Sequence, residues 1–356
     1  MTFTGMHIVH DTGAMDTDYT TLVLLHGWAW HCGIFSRLVP IAKNYNTRLV
    51  LVNRRDYPGS MPYSEEERAL IAPLHEDART EDFAKAREDG LQFMKNRARE
   101  VYGLLEDLVR REHIPPANRV MKTGGIVVAG WSYAGIWMQA LLSYVHMFPI
   151  HDVDLSRYVR RVVCYDVASV LSGYAPPAYD PYNPLFDPML TEDEKLDTFS
   201  VWVSGYFSHG DTPDTYERRK SLEHPPPTAS TLRPDDLAAC VYAPPGDAGG
   251  SDFNLMFSAL SSGLFSILRT RALRLCGDGE NQWRDVELRW VWGGRSFWQT
   301  VYGIWMLRAE LEEAKERSEL LRNIRIVTIE KGNHFAHWDH PDWAMRALIG
   351  DEEVIK

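Results

Sequence analysis

Three short stretches of the 356-residue chain carry residue types that together suit acyl-transfer chemistry. The first is Gly130-Trp131-Ser132-Tyr133-Ala134-Gly135, where an apolar run meets Ser132 and a helical pattern follows. A serine on so sharp a turn needs small residues two positions to either side, because side chains there would collide. Gly130 and Ala134 supply them. Such a turn lifts the hydroxyl out of the sheet and aims a helix N-terminus at it, which favours developing negative charge. The second stretch is His26-Gly27-Trp28, at the end of another apolar run. Gly27 lets the backbone turn without a Cβ, so the amides of Trp28 and Tyr133 are the expected oxyanion hole. The third is Gly332-Asn333-His334-Phe335, after the last apolar run. A general base belongs at the same sheet edge as its nucleophile, and His334 is placed for that role.

These residues need a scaffold that brings their loops to one edge. Apolar runs at 21–27, 48–60, 124–132, 161–169, 287–294 and 324–332 lack in/out alternation, which predicts strands covered on both faces. Between them Leu91, Met94, Ala98, Val101, Leu105 and Leu108 recur at helical spacing, and Pro115 and Pro116 end that stripe. Ile136, Ala140, Leu141 and Tyr144 predict a second helix, and 306–320 a third. Strand–helix alternation of this kind specifies a parallel α/β sheet. Residues 171–285 break the rhythm with APPAYDPYNPLFDP, HPPPT and YAPPGDAGGSD, and with helical pieces at 192–207 and 253–275. The expectation is a core domain of residues 1–170 and 286–356, with 171–285 inserted as a cap or lid.

The order of these motifs resembles the α/β-hydrolase superfamily. The resemblance rests on His26-Gly27-Trp28, on the loop Asn53-Arg54-Arg55-Asp56-Tyr57-Pro58-Gly59-Ser60, on the elbow around Ser132, and on Gly332-Asn333-His334 followed by Pro341. It spans nearly the whole chain, and within the superfamily the chain is similar to the lidded esterases, lipases and lactonase-like members. It implies a mostly parallel, doubly wound sheet with an inserted, mainly helical cap. Epoxide hydrolases and haloalkane dehalogenases of this fold use Asp at the elbow, so Ser132 implies a serine ester intermediate instead.

The chain departs from the family at the acid that should hold His334 in its working tautomer. Most members place an Asp in the loop after the penultimate strand. Here that loop reads Trp292-Gly293-Gly294-Arg295-Ser296-Phe297-Trp298, with Ser296 at the expected position. Asp166, at the end of the strand after the nucleophile helix, is the first substitute, a position some haloalkane dehalogenases use. Asp56 and Asp339 are next, and a triad without an acid stays open. Arg54 and Arg55 read as loop anchors.

Trp131, Trp292, Trp298 and Trp338 fall on or beside strand-end loops and are expected to line an apolar pocket for a bulky apolar or aromatic acyl substrate. His337, Asp339 and His340 form half of a metallo-hydrolase signature, but Phe335 stands where a further His is required, so neither metal nor cofactor is expected. A net charge of −11 argues against nucleic acid as a partner. No apolar run reaches the roughly 18 residues of a membrane span. No signal-peptide pattern opens the sequence, and Cys32, Cys164, Cys240 and Cys276 are widely spaced, so a cytoplasmic location is expected. The functional expectation is a serine hydrolase acting on an ester, lactone or thioester. The alternatives are a ligand-binding protein on this fold, an acyltransferase, a carbon–carbon hydrolase or a lyase.

Overall fold

Eight strands form one sheet: β1 (His7–Asp11), β2 (Thr20–Leu25), β3 (Thr47–Asn53), β4 (Ile126–Trp131), β5 (Val159–Tyr165), β6 (Glu287–Gly293), β7 (Ile324–Ile329) and β8 (Val354–Ile355). The computed structural model describes residues 5–15, 17–74, 77–275 and 283–356; Cys276 lies outside them. The strand order is β1-β3-β2-β4-β5-β6-β7-β8, antiparallel only between β1 and β3. Each predicted apolar run supplies one parallel strand, and every residue of β2, β3, β4 and β5 is buried. Two strands had no such signal. β1 (HIVHD) is mostly exposed at the sheet edge, and β8 is only two residues long.

From β2 the chain moves to β3 on one side, and from β4 it moves to β5 on the other. Right-handed crossovers then place the connecting helices on opposite faces. The direction of winding reverses between β2 and β4, the kind of switch point where open α/β sheets bind ligands. The pairings Leu25↔Gly130, Trp131↔Tyr165 and Tyr165↔Val291 bring the C-terminal ends of β2, β4, β5 and β6 level.

Helix α1 (Thr80–Glu112) buries the expected stripe through Met94, Ala98, Val101, Leu105 and Leu108. Helix α2 (Gly135–Tyr144) follows the Ser132 turn and is buried along its whole length. The stretch between β5 and β6 contains α3 (Glu192–Val203), α4 (Ser251–Ser262) and α5 (Leu264–Leu273), close to the predicted helical pieces. Its helices α4 and α5 pack on α1 and α2, so part of the 171–285 segment flanks the core helices. Gly90 of α1 permits this, since a Cβ there would lie 2.9 Å from Leu264 Cδ2. Helix α6 (Trp298–Glu316) leads to β7, and α7 (Pro341–Ile349) packs against a helical segment at Cys32–Tyr45 that the sequence pattern did not reveal.

Candidate active site

Ser132 sits where β4 turns into α2, with φ at +53°, a left-handed conformation that a side-chain-bearing residue rarely adopts. The turn is possible because Gly130 has no side chain: a Cβ there would lie 2.2 Å from the carbonyl oxygen of Ala134. Gly27 presses against the serine from the β2 side. A Cβ on it would come within 3.0 Å of Ser132 Cβ and 3.4 Å of Ser132 Oγ. The Gly27 backbone therefore passes close to the serine, with no room for a side chain between them.

His334 is held from three sides. Its carbonyl accepts the indole N–H of Trp131 at 2.9 Å, its ring lies 4.9 Å from the Trp131 ring, and Phe297 packs edge-on at 5.0 Å. Its Nδ1 lies 2.5 Å from Asp166 Oδ2. Asp166 is fully buried, at the end of β5, with φ at +50°. Its Oδ1 accepts the Gly293 amide at 2.7 Å, and its Oδ2 also accepts the Ser296 hydroxyl at 2.6 Å. Ser296, the residue at the usual acid position, thus donates to the carboxylate that reaches the histidine. Asp56 and Asp339 face elsewhere. Asp56 pairs with Arg68 and accepts the Tyr63 amide, and Asp339 accepts the hydroxyls of Tyr206 and Thr228. Among the described residues Ser132 Oγ has no hydrogen-bond partner, and catalytic hydrogen bonds are often open before substrate arrives.

A second buried group surrounds the turn after β2. Arg54 donates to both carboxylate oxygens of Asp252, at 2.8 and 2.6 Å, from a site that is 0% exposed against 2% for Asp252. Burial disfavours the Arg54 charge, but the Asp252 carboxylate overrides it, so the pKa is raised. The same guanidinium donates to the carbonyls of His26 (3.0 Å) and Gly27 (2.9 Å). His26 is held well below the usual histidine range by burial and by neighbouring Arg54. It accepts the Arg54 amide at Nε2, so its proton is on Nδ1, which meets Gly27 O at 3.1 Å. Tyr57 donates to Asp252 Oδ2 and accepts the Ala29 amide; Tyr133 donates to Asp252 O. Sequence reasoning took Arg54 for a loop anchor and missed Asp252 and Tyr57. Asp252 lies in the first turn of α4, where an acidic residue ordinarily signals only a helix start.

The segment between β5 and β6 is also bonded to the other loops. Tyr242 N donates to Ala29 O and His31 N to Cys240 O, both at 2.7 Å. Asn333 Nδ2 donates to Ser204 O, and Phe207 N to Arg295 O.

The four tryptophans serve different places. Trp131 is buried among Phe35, His334, Phe335 and His337. Trp298 donates to Tyr182 O, Trp338 lies under the Arg37 guanidinium, and Trp292 is half-buried beside Arg308. An open cavity of about 420 Å³ near the β2 turn is lined by Asp56, Tyr57, Arg68, Tyr242, Pro245 and Ser251 among others, and by none of those tryptophans. Trp28 and Trp30 are both half-buried, with Trp28 edge-on to Tyr133 and Trp30 to Phe335. His337, Asp339 and His340 do not converge: the His337 ring is enclosed by aromatic rings and His340 stacks on Trp343. Among the described residues no helix is long and apolar enough to cross a membrane.

A family model described as the alpha/beta hydrolase family matches residues 22–347. No curated protein matches the chain. Similar solved structures include a lipase-esterase related protein from Clostridium acetobutylicum (11% identity, 96% of this chain and 100% of that one, TM-score 0.42). Others are an esterase from Exiguobacterium antarcticum (12%, 97% and 94%, TM-score 0.44) and a laboratory-evolved variant of potato epoxide hydrolase (13%, 96% and 94%, TM-score 0.47).

Proposed function

The chain belongs to the alpha/beta hydrolase family, and from that premise we propose that it is a serine hydrolase cleaving a carboxylic ester, lactone or thioester of a bulky apolar or aromatic substrate. Ser132 Oγ attacks the carbonyl carbon while His334 Nε2 takes its proton. The amides of Trp28 and Tyr133 receive the oxyanion. Collapse expels the alcohol or thiol, which takes the proton back from His334. Water, activated by the same histidine, then attacks the acyl-enzyme and releases the acid.

The observation that carries this reading is the 2.5 Å contact between His334 Nδ1 and Asp166 Oδ2. A carboxylate there keeps the proton on Nδ1 and leaves Nε2 as the base. The strained Ser132 turn and the close approach of Gly27 support the nucleophile and the oxyanion donors. Trp28, Trp30, Phe297 and Phe335 around the serine and histidine support an apolar acyl group, with Trp131 bracing the histidine loop from behind. In this reading residues 171–285 are the cap. The buried free thiols Cys32, Cys164 and Cys240 suit a cytoplasmic enzyme. The test is ester turnover by Ser132→Ala against a panel of p-nitrophenyl esters. Loss of activity in the variant, with longer or aryl esters preferred by the wild type, supports the proposal. Retained activity overturns it, and a strong preference for acetate overturns the substrate class.

A further inference from the structure

Arg54 and Asp252 take no part in the steps above, yet the bonds of Arg54 end on the carbonyls that flank the Trp28 oxyanion donor. The peptide between Gly27 and Trp28 is a rigid trans plane, so its C=O and N–H point in opposite directions. Two donors hold Gly27 O: Arg54 Nη2 at 2.9 Å and His26 Nδ1 at 3.1 Å. Holding that oxygen fixes the direction of the Trp28 N–H, the donor the reaction above assigns to the oxyanion, on a stretch of backbone where a Cβ on Gly27 would meet Ser132 Cβ at 3.0 Å. Among the described residues the Trp28 amide has no hydrogen-bond partner. Arg54 Nε holds the preceding carbonyl, His26 O, at 3.0 Å. The Tyr133 side chain is tied to the same segment, its hydroxyl donating at 2.9 Å to the main-chain carbonyl of Asp252, a bond that substitution of the Asp252 side chain leaves in place. Asp252 belongs to α4, in the segment between β5 and β6, and no other residue of that segment bonds to Arg54 among the described residues.

A buried ion pair is weak support for stability alone, since apolar residues of similar volume often fold as well or better. What this pair supplies is direction. Arg54 offers two N–H groups to carbonyls of the oxyanion turn, and Asp252 keeps the guanidinium aimed there. We propose that Arg54 and Asp252 are positioning residues for the oxyanion hole, so that the inserted segment sets transition-state stabilisation in addition to covering the site. This rests on the Ser132 reading.

The test compares Asp252→Asn with the double variant Arg54→Met/Asp252→Leu. It measures kcat and KM on a p-nitrophenyl ester, Ki for n-butylboronic acid, and Tm. Boronic acid adds to Ser132 Oγ, whose proton passes to His334, and the resulting tetrahedral boronate places an oxygen where the oxyanion sits. Misaimed donors weaken the transition state and leave ground-state binding alone, so kcat should fall about 10- to 100-fold with KM within about threefold. The boronate Ki should rise by the same factor. In the double variant Tm should return towards the wild-type value while kcat stays low. Arg48→Met, which breaks the remote pair of buried Arg48 with exposed Asp11, should lower Tm with kcat within about twofold. Recovery of kcat together with Tm in the double variant, or an unchanged boronate Ki in Asp252→Asn, would overturn the inference. If Ser132→Ala is inactive and both pair variants keep full kcat, only this inference fails. If Ser132→Ala is active, the hydrolase reading fails first.

Discussion

Replacing Asp166 with Asn separates the three carboxylates that the sequence left as candidates. The Asp166 carboxylate meets three donors: the Gly293 amide, the Ser296 hydroxyl and His334 Nδ1. An amide has one oxygen and one NH2, so it cannot serve all three. With its oxygen towards Gly293, the NH2 faces the imidazole, and His334 must accept at Nδ1. The proton then sits on Nε2, the base is lost, and kcat falls by about 10⁴-fold, equal to about 5.5 kcal/mol of barrier. With the amide reversed, the NH2 confronts the Gly293 N–H in a fully buried site. The unsatisfied donors there cost about 1–3 kcal/mol of stability. The first orientation carries the smaller structural penalty, because a hydroxyl such as that of Ser296 rotates to accept. The assay is kcat on a p-nitrophenyl ester together with urea unfolding. Asp339→Asn and Asp56→Asn leave the His334 contact intact and should keep kcat within about tenfold of wild type. An Asp166→Asn enzyme within tenfold of wild type, or an Asp339→Asn enzyme as impaired as Asp166→Asn, would refute the assignment.

Three further outcomes are expected. Ser296→Ala removes one donor to a buried carboxylate and should cost about 1.5–3 kcal/mol in urea unfolding while reducing kcat far less than Asp166→Asn; equal loss of kcat would mean the hydroxyl has a larger role. Gly27→Ala places a methyl 3.0 Å from Ser132 Cβ, so kcat should fall about 10- to 100-fold with a small change in Tm, and an unchanged kcat would contradict the close approach. His337 is held well below the usual histidine range, first by burial and then by His334, so the folded protein keeps it neutral where the unfolded chain takes up a proton. Stability is therefore lost as pH falls below about 6.5, by up to about 1.4 kcal/mol per pH unit for this group. Because neither ring nitrogen has a partner among the described residues, His337→Leu should flatten that slope by this amount, and an unchanged slope would contradict it.

The sheet was legible because buried parallel strands leave uninterrupted apolar runs, and each such run became a strand. The polar edge strand β1 and the Cys32–Tyr45 helix, which carries Pro40, left no comparable pattern. Ser132 and His334 were legible because strand-end chemistry is local: the small residues that permit the turn are neighbours in sequence. The partners that orient them were less so. Asp166 reaches His334 across 168 positions, and Arg54 reaches Asp252 across 198. No local pattern encodes a contact of that span: Asp166 ranks ahead of Asp56 and Asp339 only as a position some relatives use, and Asp252 carries no signal. The tryptophans illustrate the same limit. Position on a strand-end loop does not say which way an indole turns, and Trp131 turns inward to hold the His334 carbonyl.

The most direct measurement is mass spectrometry of the protein quenched during turnover of a slowly hydrolysed p-nitrophenyl ester. An acyl adduct on the peptide bearing Ser132, absent from Ser132→Ala, is the expected result. Turnover with no adduct under acid quench after a p-nitrophenol burst, or an adduct on another residue, would contradict a Ser132 acyl-enzyme.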